Sequence, residues 1–178
     1  MGPQKMNKLF VYTDARAQGV PGEAGIGIAI TDKDGNVIEE IARLIGRATP
    51  KIARYRALIE AGRAALAYSP QSVIFFSDDQ HLVNHLNGVF TTREPHVKHL
   101  LDIARGVLDN FPQWRVNFID HNLNRQASRL VEQAFHDNSR AKMTRERLEL
   151  RLLSRVATLD DARLEELIDF AERLERRD

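Results

Sequence analysis

The sequence predicts an α/β fold: a five-stranded mixed sheet, three strands antiparallel and two parallel, flanked by helices and followed by a C-terminal helical extension. Three observations carry this expectation. Three extended runs follow one another near the N-terminus, with turn residues between them. An apolar run, Ser72 to Phe76 (SVIFF), comes shortly after an alanine- and leucine-rich stretch, as a buried parallel strand entered from a crossover helix would. From Ser139 to Asp178 the chain has neither glycine nor proline and repeats leucine at helical spacing.

The elements follow in order. Lys8 to Thr13 (KLFVYT) is β-branched and aromatic and ends at Asp14, reading as a strand. A turn-rich loop, Gly19-Val20-Pro21-Gly22, leads to a second strand, Ala24 to Thr31, with small residues at alternate positions. Asp34-Gly35-Asn36 is a turn signal, and Asn36 to Ala48 resumes extended character, completing an antiparallel meander. Pro50 opens a helix over Lys51 to Tyr68, since proline is tolerated in a first helical turn. After the strand at Ser72 come a short helix over Asp79 to Leu86, a longer one over Pro95 to Phe111, a fifth strand over Trp114 to Ile119 and a helix over Gln126 to Phe135. Composition changes near His136, which sets a domain over 8–136 and an extension over 139–178. Met143, Leu148, Leu152 and Val156 suit one helix of that extension. Leu164, Leu167, Ile168, Ala171 and Leu174 suit a second, with Thr158 as its cap, giving a hairpin or a bent long helix.

Composition narrows the function classes. The chain has 178 residues, 43% of them hydrophobic, enough for one packed domain and an appendage. Twenty-six Lys and Arg nearly cancel 25 Asp and Glu, so the net charge of +1 neither supports nor excludes a polyanionic partner. Cysteine is absent, which excludes disulfides, thiolate metal sites and cysteine nucleophiles. No stretch has the length of a membrane span, and no apolar signal core is visible. The expectation is a cytoplasmic protein with no membrane partner.

Several segments together resemble one family. VYTDARAQGVPGEAGIGIAI resembles the first strand, loop and second strand of type 1 ribonuclease H domains, which read YTDG, a GNPGPAG loop and a small-residue strand. ATPKIARYRALIEAGRAAL resembles the segment that opens Thr-Asn-Asn and continues Ala-Glu-Tyr-x-Ala-Leu, and VIFFSDDQHLVNHLNG the strand and helix that begin Ser-Asp. EPHVKHLLDIARGVLDNF and WRVNFIDHNLNRQASRLVEQAF resemble the last two segments, the latter usually ending Asn-x-x-Ala-Asp-x-Leu-Ala. The resemblance covers about Lys8 to Phe135, in the family's order, and implies a ribonuclease H-like fold. The tail lies outside it.

That family cuts the RNA of RNA/DNA hybrids with four carboxylates around two divalent cations, Mg²⁺ or Mn²⁺, which align water and polarise the scissile phosphate. Position by position, Asp14 falls on the first acid and Asp78 on the third. Arg54 stands where the second is expected and Ser128 where the fourth is. The formal charge of the site moves from −4 to −1. Arg54 cannot be deprotonated, and a unit charge pair at about 4 Å interacts by roughly 4 kcal/mol at an effective dielectric near 20. Arg54 is therefore expected to pair with Asp14 and Asp78 in place of metal, with no cofactor required.

The family's Asn-Asn is Pro50-Lys51 here, but Arg16, Lys51, Arg54 and Arg56 are expected as a basic rim around the cleft. Lys98, His99 and Asn124 join Arg16, Lys51 and Arg54 as expected nucleic-acid contacts. Plainer readings stand beside these. Asp79 suits the cap of the following helix, Asp120 a solvated strand end, and His81 with His85 an exposed pair lacking a third ligand. The resulting expectation is an inactive ribonuclease H-like protein that binds RNA/DNA hybrid or RNA, its tail forming a homodimer or docking another protein. Two alternatives stay open. One is an active metal-dependent nuclease rebuilt from Asp14, Asp78 and some of Asp79, Asp120 or Glu60. The other is an interaction scaffold without nucleic-acid binding.

Overall fold

The computed structural model describes residues 7–176. Five strands form one sheet: β1 (Lys8–Gly19), β2 (Gly22–Thr31), β3 (Val37–Ala48), β4 (Ser72–Ser77) and β5 (Gln113–Phe118). Their order is β3-β2-β1-β4-β5, with β1–β2 and β2–β3 antiparallel and β1–β4 and β4–β5 parallel. The helices are α1 (Pro50–Leu66), α2 (Gln80–Leu86), α3 (Pro95–Leu108), α4 (Arg125–Val156) and α5 (Asp161–Glu175), with a 3₁₀ turn at His121–Leu123. The expected architecture is the one observed, the ribonuclease H fold.

Alternation along β1 explains the layering. Leu9, Val11, Thr13 and Ala15 are buried on one face of the strand, while Phe10, Tyr12 and Asp14 stand on the other, half-buried. α1 carries the core that the first face meets, through Ala53, Tyr55, Ala57, Leu58, Ala61 and Ala65, all 2% exposed or less. Thr49 caps α1, its side chain accepting from the Ile52 N–H, and Pro50 occupies the first turn. The start of α4 lies against β2, burying Ala127, Leu130, Val131, Ala134 and Phe135. Gly27 permits that approach: a Cβ there would lie 2.1 Å from the Ala127 carbonyl oxygen.

Three expectations about elements are corrected. β1 does not end at Asp14 but runs to Gly19, because Arg16, Ala17 and Gln18 continue pairing with Gly25, Ala24 and Glu23. The helix expected over Gln126 to Phe135 continues as one element to Val156, with no glycine or proline to stop it and an Arg145–Glu149 pair at 2.8 Å one turn apart along it. The cap of α5 is Asp160, accepting from the Arg163 N–H at 3.0 Å. Thr158 instead donates to the Arg155 carbonyl at 2.7 Å, at the end of α4.

The chain divides between Asp137 and Asn138 into two compact units. The first holds the sheet. Among the described residues, no helix is long and apolar enough to cross a membrane.

Candidate active site

Strand register brings the two acids together. Thr13 of β1 pairs with Ser77 of β4, so Asp14 and Asp78, each the next residue, leave the parallel pair side by side. Both Asp14 oxygens are occupied: Oδ1 accepts from the Ala15 N–H and Oδ2 from the Ser128 hydroxyl, each at 2.7 Å. Asp78 Oδ2 lies 2.6 Å from His121 Nδ1. The register Ser77 with Phe118 places the end of β5, and the turn after it, beside Asp78. Ligand atoms of Asp14, Asp78 and His121 all lie within 4.8 Å of one another.

The electrostatics follow from this crowding. Burial, offset in part by the Ser128 hydrogen bond, and then the neighbouring Asp78 charge leave the Asp14 carboxyl above its usual range. His121 is raised above 6.5 by its hydrogen bond and charge attraction to Asp78. The hydrogen bonds from Ser128 and Ala15 and the Arg54 charge only partly offset the cost of holding Asp14 ionised beside Asp78.

Arg54 supplies little of that compensation, its charge being the weakest of the influences that lower Asp14. Its Nη1 lies 3.3 Å from Asp79 Oδ2, rather than on Asp14 or Asp78 as expected. The reason is local. Asp79 caps α2 with Oδ1, accepting from the His81 and Leu82 N–H groups, which leaves Oδ2 free to face α1. Asp78 is drawn instead to His121. The Arg54 Nε is buried without a hydrogen-bond partner among the described residues.

The expected rim is dispersed among partners. Arg16 makes a two-point pair with Glu132 of α4, and its guanidinium lies 5.2 Å from the centre of the Phe135 ring. Arg56 donates to the Ile45 carbonyl at 2.8 Å. Lys51 pairs with Glu94 at 2.6 Å. Lys51 and Arg54 do come together, lining a cleft of about 480 Å³ with His81, His85 and Arg93 and with their own partners Glu94 and Asp79. Lys98 lines a neighbouring hollow that shares Thr91 and Thr92 with that cleft, and His99 is exposed. Asn124 cannot contact nucleic acid: its side chain is fully buried and donates to the Thr13 carbonyl at 3.0 Å, tying the start of α4 to β1.

The remaining acids take structural positions. Asp120 accepts from the Asn122 N–H at the 3₁₀ turn, and Glu60 pairs with Arg43. His85 Nδ1 lies 2.7 Å from the Tyr55 hydroxyl, and neither it nor His81 belongs to a metal-ligand group among the described residues. The residue that sequence reasoning left unassigned is His121. It stands just past the fifth strand, but only the parallel β4–β5 register shows that this strand ends beside Asp78.

A five-stranded sheet in this order, with Asp14 and Asp78 side by side where β1 and β4 part and the start of α4 set against Asp14, defines a type 1 ribonuclease H-like domain. The chain belongs to the reverse transcriptase-like family, whose profile matches residues 12–134. It is 30% identical to ribonuclease HI of Halobacterium salinarum over 135 residues, 76% of this chain and 68% of that protein. The crystal structure of ribonuclease H1 from that archaeon superposes with a TM-score of 0.72, covering 74% of this chain and 99% of that one. LC11-RNase H1, solved in complex with an RNA/DNA hybrid, is 30% identical with a TM-score of 0.69, covering 73% and 98%. A bifunctional protein of Mycobacterium tuberculosis is 27% identical over 128 residues, which is 71% of this chain but only 35% of that protein.

Proposed function

We propose that this chain is a ribonuclease H-like protein that binds nucleic acid, RNA/DNA hybrid or RNA, without two-cation cleavage. The observation that carries this reading is what stands at the second and fourth acid positions. Ser128 presents a hydroxyl donor to Asp14, and Arg54 is held by Asp79. A pair of hard divalent cations needs an oxygen-rich cage with enough negative charge to balance them, and the donor set here does not fit two. Asp14, Asp78 and His121 would hold at most one ion. Binding is supported by the Lys51–Arg54–Arg93 cleft, where three cations stand against two acids, Asp79 and Glu94, and by the hybrid-bound LC11-RNase H1, of the same fold at 30% identity.

A second reading, a nuclease with a rebuilt site, draws on the Asp14–Asp78–His121 group, a different set from the Asp79, Asp120 and Glu60 substitutes. One titration separates the two. Full chain is added to a labelled RNA/DNA hybrid with and without Mn²⁺ or Mg²⁺, following anisotropy and strand length together. The expected result is binding without cleavage, weakened by salt and by Lys51→Gln with Arg93→Gln. Metal-dependent cleavage that disappears in Asp14→Asn overturns it in favour of the rebuilt nuclease. Absence of salt-sensitive binding to hybrid, duplex and single strand alike overturns it in favour of an interaction scaffold.

A further inference from the structure

The second unit has no core of its own. Among the described residues beyond Asn138, none is buried. Met143, Leu148, Leu150, Leu152, Leu153, Ile168, Phe170 and Leu174 are each more than half exposed. Helices of this length, about 27 Å for the distal part of α4 and about 22 Å for α5 at 1.5 Å per residue, draw most of their stability from burying an apolar face.

The faces are not alike. At about 3.6 residues per turn, the apolar residues of α5 fall in one continuous arc. Those of distal α4 fall in two stripes, Met143, Leu150 and Leu153 in one and Leu148, Leu152 and Val156 in the other. Arg140, Arg147, Arg151 and Arg155 form a ridge between them. A helix with two apolar stripes needs two neighbours, and one α5 offers a single face. The stripes also differ in exposure: Met143, Leu150 and Leu153 stand at 59%, 67% and 63%, against 57% and 56% for Leu148 and Leu152, with Val156 only half-exposed. The first stripe is the more open.

Charge identifies the missing neighbour. From Ser139 to Val156 there are six basic residues against two acidic; from Asp161 to Glu175 there are six acidic against two basic. Arg147, Arg151 and Arg155 carry no ion pair among the described residues. A second copy of this chain supplies both what the open stripe lacks, an identical apolar stripe, and what the arginine ridge lacks, an acidic helix. We propose that the C-terminal units of two chains associate through the Met143–Leu150–Leu153 stripe, with the acidic α5 of one chain against the arginine ridge of the other. The contact is self-complementary, as a two-fold interface requires, and places charge beside an apolar seam.

Sedimentation velocity on the full chain tests this. The expected species has twice the chain mass at micromolar concentration. Leu150→Glu with Leu153→Glu is expected to give monomer with helix content retained by circular dichroism. Leu148→Glu with Leu152→Glu, on the less open stripe, is expected to lower helix content. Arg147→Glu, Arg151→Glu and Arg155→Glu together should weaken the dimer at least tenfold. Mixing that variant with a chain carrying Glu165→Arg, Asp169→Arg and Glu172→Arg should restore a heterodimer. Monomer up to about 100 µM, where even a weak interface of about 5.5 kcal/mol is half-assembled, overturns the proposal. So does a dimer indifferent to Leu150→Glu with Leu153→Glu, or the absence of heterodimer on mixing the charge-reversed chains.

Discussion

Replacing Asp14 with asparagine should stabilise the fold at neutral pH. Asp14 is half-buried and faces Asp78, two costs that the Arg54 charge offsets only weakly. Its folded carboxyl titrates above the unfolded value of 3.8. Relative to the unfolded chain it binds its proton more tightly, so the stability it contributes is present below pH 3.8 and is lost as pH rises through the folded value. Its charge repels that of Asp78 across no more than 4.8 Å, which before screening is worth about 3.5 kcal/mol or more at an effective dielectric near 20. Asparagine removes that charge while keeping the shape. Its carbonyl can accept from the Ala15 N–H, and its amide can donate to a Ser128 hydroxyl turned to accept, so no buried donor is stranded. The expected gain is about 1–3 kcal/mol at pH 7, after partial screening by Arg54 and by the protonated fraction of His121, and it should vanish below pH 3.8. Urea unfolding of both chains at pH 7 and pH 3.5 measures it. An Asp14→Asn chain less stable at pH 7 than its parent, or equally shifted at both pH values, would refute the electrostatic account of this site.

Four further outcomes are expected. The imidazole of His121 should titrate above 6.5 by NMR and return toward 6.5 in Asp78→Asn, since Asp78 is the source of the shift. Tyr55, pushed up to about 12 mainly by burial, should stay neutral at pH 10, where an unperturbed phenol is half-ionised. The stability it contributes is present below pH 10 and lost between 10 and 12, which alkaline absorbance and unfolding together would show. Gly27→Ala should cost about 1–3 kcal/mol in denaturant unfolding, because the added carbon meets backbone, the Ala127 carbonyl, rather than a yielding side chain. Arg54→Glu with Ser128→Asp returns an acid to both vacant positions, and that double variant should gain Mn²⁺-dependent cleavage of an RNA/DNA hybrid. Failure to bind Mn²⁺ by calorimetry would show that the scaffold has drifted further than those two residues.

The sheet was legible because its determinants are local. Turn residues at Asp34-Gly35-Asn36, the apolar run at Ser72 and the strand-to-helix alternation each declare themselves within a few positions. Asp14 and Asp78 were legible because each follows an apolar extended run inside a matching segment. The partner of Arg54 was not. Asp79 was read as the cap of α2, but sequence does not show that its second oxygen faces Arg54 while Asp78 turns to His121. His121 was hidden for a related reason, since it meets Asp78 across 43 residues of chain. Asn124 looked like a polar contact because asparagine commonly is one. Its burial depends on α4 starting directly under β1, which is fixed by Gly27, nearly a hundred positions earlier.

Gly27 separates the placing of this site from its chemistry. The first turn of α4 is fixed by backbone seated on backbone and by Asn124 reaching the Thr13 carbonyl; Ser128 adds to this only its hydrogen bond to Asp14. The side chain at 128 is therefore exchangeable in a way that its neighbours are not. A carboxylate there and a hydroxyl there would face Asp14 from the same helix start, one repelling it unless a cation intervenes, the other satisfying it alone. Such a mount can lose an ion-dependent reaction in a single substitution and keep its fold, its cleft and its register intact.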